Sequence, residues 1–238
     1  MVSPHPSDAR VAKSIVRSGW DHLSEIYRPS GARSDAFGHD YADHREWLEP
    51  ILGTVPRGAE VLDLGCGCGL PDARLLSDRF RVTGVDISDV QIDRARQLVP
   101  DARFVRADMT EVIFSDQSFG AVVCLYALIH VPIAEQRPLL ERVFRWLVPG
   151  GLFLVISGEQ AYTGVERDWL GSNAEMFWSH PDAATFEQWL REAGFEVRRR
   201  RHIPEGASGH ALFLVARPSP RGPTSVASAA SPHRRGPE

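Results

Sequence analysis

Three aspartates and a glycine-rich loop are the residues in this sequence whose types and spacing best suit chemistry. Asp63 lies two residues before a run of alternating glycines, and Asp86 and Asp108 each follow a later apolar run. The glycines are Gly65, Gly67 and Gly69. Glycine is needed where a backbone turns sharply or lies against a ligand, because a Cβ atom would clash there. Carboxylates accept hydrogen bonds from hydroxyl and ammonium groups, so the pattern predicts a site for a small polar ligand.

The elements that must position these residues alternate between strand-like and helix-like patterns. Short apolar runs cover residues 60–64, 81–85, 103–107, 119–125 and 151–157. Between them lie helical patterns, one of which begins at Ser88 with Gln91 three residues on, a capping-box signature. Strands that alternate with helices predict a parallel sheet covered on both faces. A ligand then binds beyond the carboxyl ends of the strands.

Two late runs break this alternation. Residues 195–201 and 210–217 are strand-like, and the seven residues 203–209 between them are too few for a helix. We therefore expect these two strands to pair antiparallel. Arg198 to Arg201 put four charges in the first of them, which is typical of an edge strand protected against edge-to-edge pairing. An anion site is the alternative.

The glycine spacing discriminates between ligands. The dinucleotide fingerprint is G-x-G-x-x-G, where a helix N-terminus meets a pyrophosphate, whereas residues 65–69 read G-x-G-x-G. A pyrophosphate has little use for the carboxylate of Asp63, but a ligand with an ammonium group would use it directly or through water. Alternatively, Asp63 braces the loop by accepting backbone N–H bonds, and both roles are compatible.

The other two acids suit a nucleoside. Asp86 comes 23 residues after Asp63, an interval that fits one βαβ unit and allows a carboxylate to bind both ribose hydroxyls. Ile87 would then lie against the adenine face. Asp108 suits the adenine amino group, and Met109 would pack on the ring. An aspartate after a strand is often only a helix cap, but three at successive strand ends beside a glycine loop predict a site.

These segments together resemble the class I S-adenosylmethionine-dependent methyltransferases. The resemblance is carried by residues 61–69, 82–88, 107–109, 119–131 and 146–151. It implies S-adenosyl-L-methionine as cofactor and a Rossmann-like, seven-stranded, mostly parallel α/β sheet with an antiparallel last strand and helices on both faces. It also implies a set of cofactor-binding residues. These are Tyr27, Asp63, Gly65, Cys66, Gly67, Gly69, Asp86, Ile87, Asp108, Met109 and Leu125. Cys68 departs from the family, in which a hydroxyl or another small residue is more usual.

Two histidines are candidate general bases. His130 follows the fourth strand, where the resemblance implies residues that face the transferred methyl group. His180 lies in an aromatic-rich stretch before the last helix. The alternative for His130 is a structural histidine, because a neutral imidazole has both a donor and an acceptor to satisfy. We expect His210 and Glu205 to be structural or solvated.

The chain divides into three zones. Residues 1–50 are predicted to form a helical cap over the cofactor site, by resemblance to small-molecule methyltransferases. Residues 51–217 form the methyltransferase core, with a substrate lid or hydrophobic plug inserted at about 158–182. Residues 218–238 are rich in Pro, Gly and Ser and are predicted to be disordered, since they have little apolar surface to offset their ordering entropy.

Composition excludes several classes of protein. Apolar residues make up 43 %, charged residues 24 %, and the formal net charge is −4, which disfavours nucleic acid as a partner. The longest apolar run, 121–129, is about half of the roughly 18 residues that a membrane span needs. The first residues lack the apolar segment of a secretory signal, and the three cysteines form no metal-ligand spacing. We therefore expect a cytoplasmic protein and identify no metal-ligating residues, while the use of a metal in the reaction and the oligomeric state stay open.

The sequence thus predicts methyl transfer from S-adenosyl-L-methionine to oxygen, nitrogen or carbon of a small molecule, such as a secondary metabolite. One alternative is a nicotinamide-dependent oxidoreductase, against which the missing G-x-G-x-x-G spacing counts. A second alternative is a protein that binds the cofactor without turnover.

Overall fold

A seven-stranded sheet forms the centre of the molecule. The computed structural model describes residues 8–205 and 208–219. Its strands are β1 Glu60–Leu64, β2 Arg81–Asp86, β3 Arg103–Arg106, β4 Phe119–Cys124, β5 Leu147–Gly158, β6 Tyr162–Trp169, β7 Ala174–His180, β8 Glu196–Ile203 and β9 His210–Ala216. The sheet order is β3-β2-β1-β4-β5-β9-β8, and β6 pairs with β7 alone. Strands β1 to β5 run parallel, and β9 is antiparallel to both β5 and β8. The predicted fold class is therefore confirmed.

Helices cover both faces of this sheet. They are α1 Ala9–Tyr27, α2 Tyr41–Thr54, α3 Asp72–Ser77, α4 Asp89–Leu98, α5 Ile133–Trp146 and α6 Ala183–Glu192, with a short 3-10 turn at Leu128–His130. Helices α2, α3 and α4 share one apolar core with the sheet, and α5 and α6 share the other. Because both faces are covered, β1 and β4 are buried along almost their whole length instead of at alternate residues.

The start of α4 follows the predicted cap in part. The Ser88 hydroxyl accepts a hydrogen bond from the backbone N–H of Gln91, as expected. The Gln91 side chain does not return to Ser88, and its Oε1 instead accepts a hydrogen bond from the Ser24 hydroxyl of α1 at 2.7 Å. The capping box is therefore only half formed, and Gln91 helps to fasten α1 to the sheet domain.

The insertion before α6 is a β-hairpin, which the sequence analysis did not predict. Strands β6 and β7 are joined by a turn in which Asp168, Leu170, Gly171 and Asn173 have positive φ. The apolar side of the hairpin packs against α1 in a third core that includes Leu23, Met176 and Phe177. Its aromatic residues thus pack mainly against a helix distant in sequence, so no single helical or strand period shows in them.

The chain ends are only partly described. Residues 1–7 of the predicted cap and residues 220–238 of the predicted tail lie outside the described residues. Within the described ranges, no helix is both long and apolar enough to cross a membrane.

Candidate active site

A deep cleft opens at the carboxyl ends of β1, β2 and β4, beneath α1. It encloses about 1010 Å³ free of protein atoms, a volume that includes its open mouth. Ten of the predicted site residues line it. They are Tyr27, Gly65, Cys66, Gly67, Asp86, Ile87, Asp108, Met109, Leu125 and His130.

The glycine loop forms the floor of this cleft. Its backbone adopts conformations that residues with a Cβ atom avoid. Gly65, Gly67 and Gly69 have φ values of +74°, +53° and +80°. A Cβ on Gly65 would come within 2.0 Å of the Ala127 Cβ. A Cβ on Gly67 would meet nothing closer than 3.9 Å, so its backbone lies open to the cleft.

Gly69 has a packing role and is not part of the cleft surface. It does not line the cleft, and a Cβ there would contact Val99 at 3.0 Å and Phe104 at 3.2 Å. The third glycine thus allows helix and sheet to approach each other closely, and the structure gives it no ligand-facing surface.

Asp86 ends β2 at the cleft wall. Its Oδ2 accepts the N–H of Gly67 at 2.9 Å, and its Oδ1 accepts the N–H of Ser88 at 2.9 Å. Burial raises the pKa of this carboxyl to about 6, against the opposing effect of those backbone hydrogen bonds. The carboxylate is therefore held in a fixed orientation by backbone donors, and each oxygen keeps a further lone pair for a ligand hydroxyl.

Asp63 lies behind the glycine loop and is not among the residues that line the cleft. Its side chain is buried, and its Oδ2 has no hydrogen-bond partner among the described residues. Burial, with the nearby charges of Asp72 and Asp86, raises its pKa well above the ordinary value. Its predicted contact with an ammonium group stays a prediction, and it requires the group to approach this unpartnered oxygen, directly or through water.

Asp108 is already engaged by helix α1. The single lysine of the chain, Lys13, lies 2.7 Å from Oδ2 of Asp108 and 2.5 Å from Oε2 of Glu135. Oδ1 of Asp108 accepts hydrogen bonds from the backbone N–H and the hydroxyl of Thr110. Lys13 thus fastens α1 over the end of the cleft that holds Asp108 and Met109. The sequence analysis did not identify Lys13. The one feature that sets it apart in the sequence is that every other basic residue except histidine is arginine.

The two candidate bases differ in position. His130 lines the cleft, and its Nδ1 donates to the backbone carbonyl of Phe177 at 2.7 Å. Burial lowers its pKa to about 4, so it is neutral near pH 7. His180 does not line the cleft and packs against Gly158 of β5. Both histidines therefore anchor the hairpin, and a catalytic role for either stays a prediction.

The remaining wall of the cleft is polar, and sequence reasoning missed it. Arg28 and Asp35 line the cleft as a buried ion pair with a 3.6 Å separation, and the Tyr27 hydroxyl donates to Asp35 at 3.2 Å. Tyr126, two residues after the end of β4, lines the same end. We call Arg28, Asp35 and Tyr126 the polar wall. These residues are brought together from α1, the following loop and β4, so no local spacing indicates them.

Comparison with known proteins agrees with this arrangement. Residues 61–151, which include the glycine loop, Asp86 and Asp108, match the family model described as a methyltransferase domain. The chain is 32 % identical over 150 residues to sterol 24-C-methyltransferase of Neurospora crassa, covering 60 % of this chain and 38 % of that one. It is 31 % identical over 204 residues to cycloartenol-C-24-methyltransferase 1 of Oryza sativa, covering 79 % and 57 %. The chain thus spans only about 40–60 % of the length of these two relatives.

A solved structure extends the similarity of fold to nearly the whole chain. The 1,6-didemethyltoxoflavin-N1-methyltransferase of Burkholderia thailandensis superposes with a TM-score of 0.68 and 22 % identity, over 92 % of this chain and 93 % of that one. Residues 61–151 thus contain a methyltransferase domain, and the similarities in sequence and in fold support a class I S-adenosylmethionine-dependent methyltransferase. The nicotinamide alternative thereby loses its support.

Proposed function

We propose that this protein transfers a methyl group from S-adenosyl-L-methionine to a small molecule. The observation that carries the proposal is the position of Asp86. Its carboxylate is fixed by the glycine loop and lines a cleft shared with Asp108, which follows the neighbouring strand β3. A carboxylate at the position of Asp86 can accept hydrogen bonds from both hydroxyls of a ribose. The apolar walls beside it suit an adenine ring, and the carboxylate of Asp108 suits the amino group of that ring.

The residues present fit this cofactor. Asp86 would accept hydrogen bonds from the two ribose hydroxyls, and Ile87 and Met109 would contact the two faces of the adenine. The open backbone at Gly67 leaves room for the ligand to approach closely. Asp108 would accept a hydrogen bond from the adenine amino group while keeping Lys13 as its counterion. When bound, the cofactor supplies an electrophilic sulfonium methyl group.

The acceptor in this proposal is small because the cleft is covered. Helix α1 lines it, and the β6–β7 hairpin packs against α1 without contributing a residue to the lining. We propose these two elements as the cap and lid of the site. The named relatives act on sterols, and the solved neighbour on a didemethyltoxoflavin. This range of substrates supports a small-molecule acceptor and leaves oxygen, nitrogen and carbon as receiving atoms.

The protein's proposed setting is the cytoplasm. All three cysteines are free and buried, which suits a compartment in which thiols stay reduced.

The proposal is tested by incubating the purified protein with S-adenosylmethionine that carries a deuterated methyl group and with a library of small hydroxylated and aminated compounds. We expect mass spectrometry to detect a product heavier by one deuterated methyl, and Asp86→Ala to abolish it at the same cofactor concentration. Binding of S-adenosylhomocysteine without any methylated product would favour a cofactor-binding protein without turnover.

A further inference from the structure

The order of the strands fixes where the tail of a bound cofactor would lie. Asp108 follows β3, Asp86 ends β2 and the glycine loop follows β1, and these strands are neighbours in that order. With the adenine at Asp108 and the ribose at Asp86, the methionine-derived tail would extend over the glycine loop. That tail carries an ammonium group. An ammonium group taken out of water needs acceptors, of which a carboxylate is the strongest.

The carboxylate that the cleft offers beside the glycine loop is Asp72, the first residue of α3. Asp72 lines the cleft, whereas Asp63, to which the sequence analysis gave the ammonium group, does not. Burial raises the pKa of Asp63 well above its ordinary value, which favours the protonated form, a weak partner for a cation. A second acid, three residues after Gly69, is therefore the one that a ligand can reach.

Helix α2 holds this carboxylate in place. Nδ1 of His44 lies 2.7 Å from Oδ1 of Asp72, and because a carboxylate oxygen accepts, Nδ1 carries the hydrogen. The imidazole is itself fixed, since it is buried and packs on the Trp47 ring at 4.6 Å. Oδ2 of Asp72 makes no hydrogen bond within the described residues. It stays accessible from the cleft, because the side chain keeps 16 % of its surface exposed.

Negative charge is concentrated around this free oxygen. Besides burial, the charges of Asp72 and Asp86 raise the pKa of Asp63, so the three carboxyls are close enough to interact. Arg28, which also lines the cleft, is already paired with Asp35 at 3.6 Å. A ligand cation among these acids would relieve their mutual repulsion, so the site favours an ammonium group over an anion.

We propose that Asp72, oriented by His44, binds the ammonium group of the cofactor's methionine-derived tail. The ammonium group donates to Oδ2 of Asp72, while Oδ1 keeps the hydrogen bond from His44. This inference rests on the proposed function, because it assigns one more group of the same cofactor. It also changes the role of Asp63, which contributes negative charge from behind the loop while Asp72 makes the contact.

The inference is tested by comparing S-adenosylhomocysteine with deamino-S-adenosylhomocysteine, in which a hydrogen atom replaces the amino group. Calorimetric titration measures both affinities in wild type, Asp72→Asn, Asp63→Asn and the control Asp78→Asn. Asp78 directly follows α3, is exposed and does not line the cleft. We expect wild type and control to bind S-adenosylhomocysteine about tenfold to 100-fold more tightly than the deamino compound, the effect of one hydrogen bond between charged groups.

In Asp72→Asn we expect this preference to fall below about threefold, because S-adenosylhomocysteine binds more weakly while the deamino compound binds as before. Asp63→Asn should keep most of the preference. Absence of a preference in wild type, its full persistence in folded Asp72→Asn, or its loss in Asp63→Asn alone would overturn the inference. Failure of wild type to bind S-adenosylhomocysteine would instead overturn the proposed function, and the first titration shows this before any variant is measured.

His44→Phe keeps the test decisive if Asp72→Asn does not fold. This variant retains a ring against Trp47 and removes the N–H that orients Asp72. We expect it to lower the preference about threefold to fivefold, with unchanged affinity for the deamino compound. Equal weakening of both ligands, or an unchanged preference, would mean that the His44–Asp72 contact serves only the fold and would overturn the inference.

Discussion

The two ends of the cleft are built in different ways. At the Asp86 end, the ligand-facing groups are backbone amides and carboxylates at the ends of adjacent parallel strands. At the polar wall, they are side chains of Arg28, Asp35 and Tyr126, which come from segments up to about 100 residues apart. The Asp86 end is therefore built from the sheet itself, whereas the polar wall is built from segments outside the strands.

This difference determines which residues of the cleft can be substituted without disturbing the sheet. A substitution at the Asp86 end alters strand ends and glycine conformations on which the sheet depends. We expect a substitution in the polar wall to alter ligand contacts and to leave the sheet intact, because Arg28, Asp35 and Tyr126 lie outside the strands. One fold can therefore keep its cofactor and exchange its acceptor, which agrees with the varied substrates in the names of its relatives.

The largest effect should come from Gly65→Ala, compared with Gly31→Ala. Both glycines have positive φ, +74° and +80°, but only at Gly65 would a Cβ meet another atom, at 2.0 Å. We expect Gly31→Ala to lower the free energy of unfolding by about 1–2 kcal/mol from backbone strain alone. Gly65→Ala should cost roughly 1–3 kcal/mol more, since the Ala127 segment must shift. Urea unfolding measures both, and equal losses would contradict the tight packing of this loop.

Asp86→Ala tests the same end at the level of binding. Two hydrogen bonds to a charged group contribute roughly 1.5–3 kcal/mol each, so we expect affinity for S-adenosylhomocysteine to fall at least about 100-fold. Asp93→Ala, on the exposed side of α4, is the matched control and should bind normally. Calorimetry distinguishes the two, and undiminished affinity in folded Asp86→Ala would remove the ribose assignment.

The pH dependence of binding sharpens the comparison further. With a pKa of about 6, Asp86 is mostly ionised at pH 7.5 and about one-tenth ionised at pH 5. Because only the carboxylate accepts hydrogen bonds from both hydroxyls, affinity for S-adenosylhomocysteine should fall about tenfold as the pH drops through this range. Asp86→Asn should show a flat profile. A similar fall in that variant would assign the titration to another group.

The smallest effect is expected at Lys13, which joins α1 to the sheet. Lys13→Met removes two partly buried ion pairs, with Asp108 and Glu135, and should lower the unfolding free energy by about 1–2 kcal/mol. Arg81→Met removes an exposed pair with Glu60 and should change it by less than about 1 kcal/mol. Thermal denaturation compares the two, and equal small shifts would mean that Lys13 does not hold α1 in place.

The Asp86 end could be predicted from sequence because its determinants are local. The glycines, Asp86 with Ile87, and Asp108 with Met109 each lie within a few residues of a recognisable strand, and parallel strands bring their carboxyl ends together. The antiparallel pair of β8 and β9 was predicted for a similar reason, since residues 203–209 are too few to form a crossover helix. These inferences needed no knowledge of tertiary contacts.

The polar wall and the hairpin could not be predicted in this way. Asp35 is an ordinary loop aspartate until Arg28 and Tyr27 are folded around it, and Glu205 reads as a turn residue until His39 and His210 face it. Strands β6 and β7 bury residues against α1, so their pattern reflects a partner about 150 residues away. Asp63 and Gly69 match the motif in sequence, yet the structure turns them away from the cleft.

The central claim is that the cleft binds a sulfur-containing nucleoside cofactor, and a thermal-shift comparison tests it most directly. Ligand at 100 times its dissociation constant adds about 2.7 kcal/mol to the unfolding free energy, which at this chain length is a rise of roughly 5–10 °C. We predict that rise with S-adenosylhomocysteine and S-adenosylmethionine, and none with NADH or NADPH. A rise with a nicotinamide cofactor alone would contradict the assignment of the glycine loop and of every site residue that depends on it.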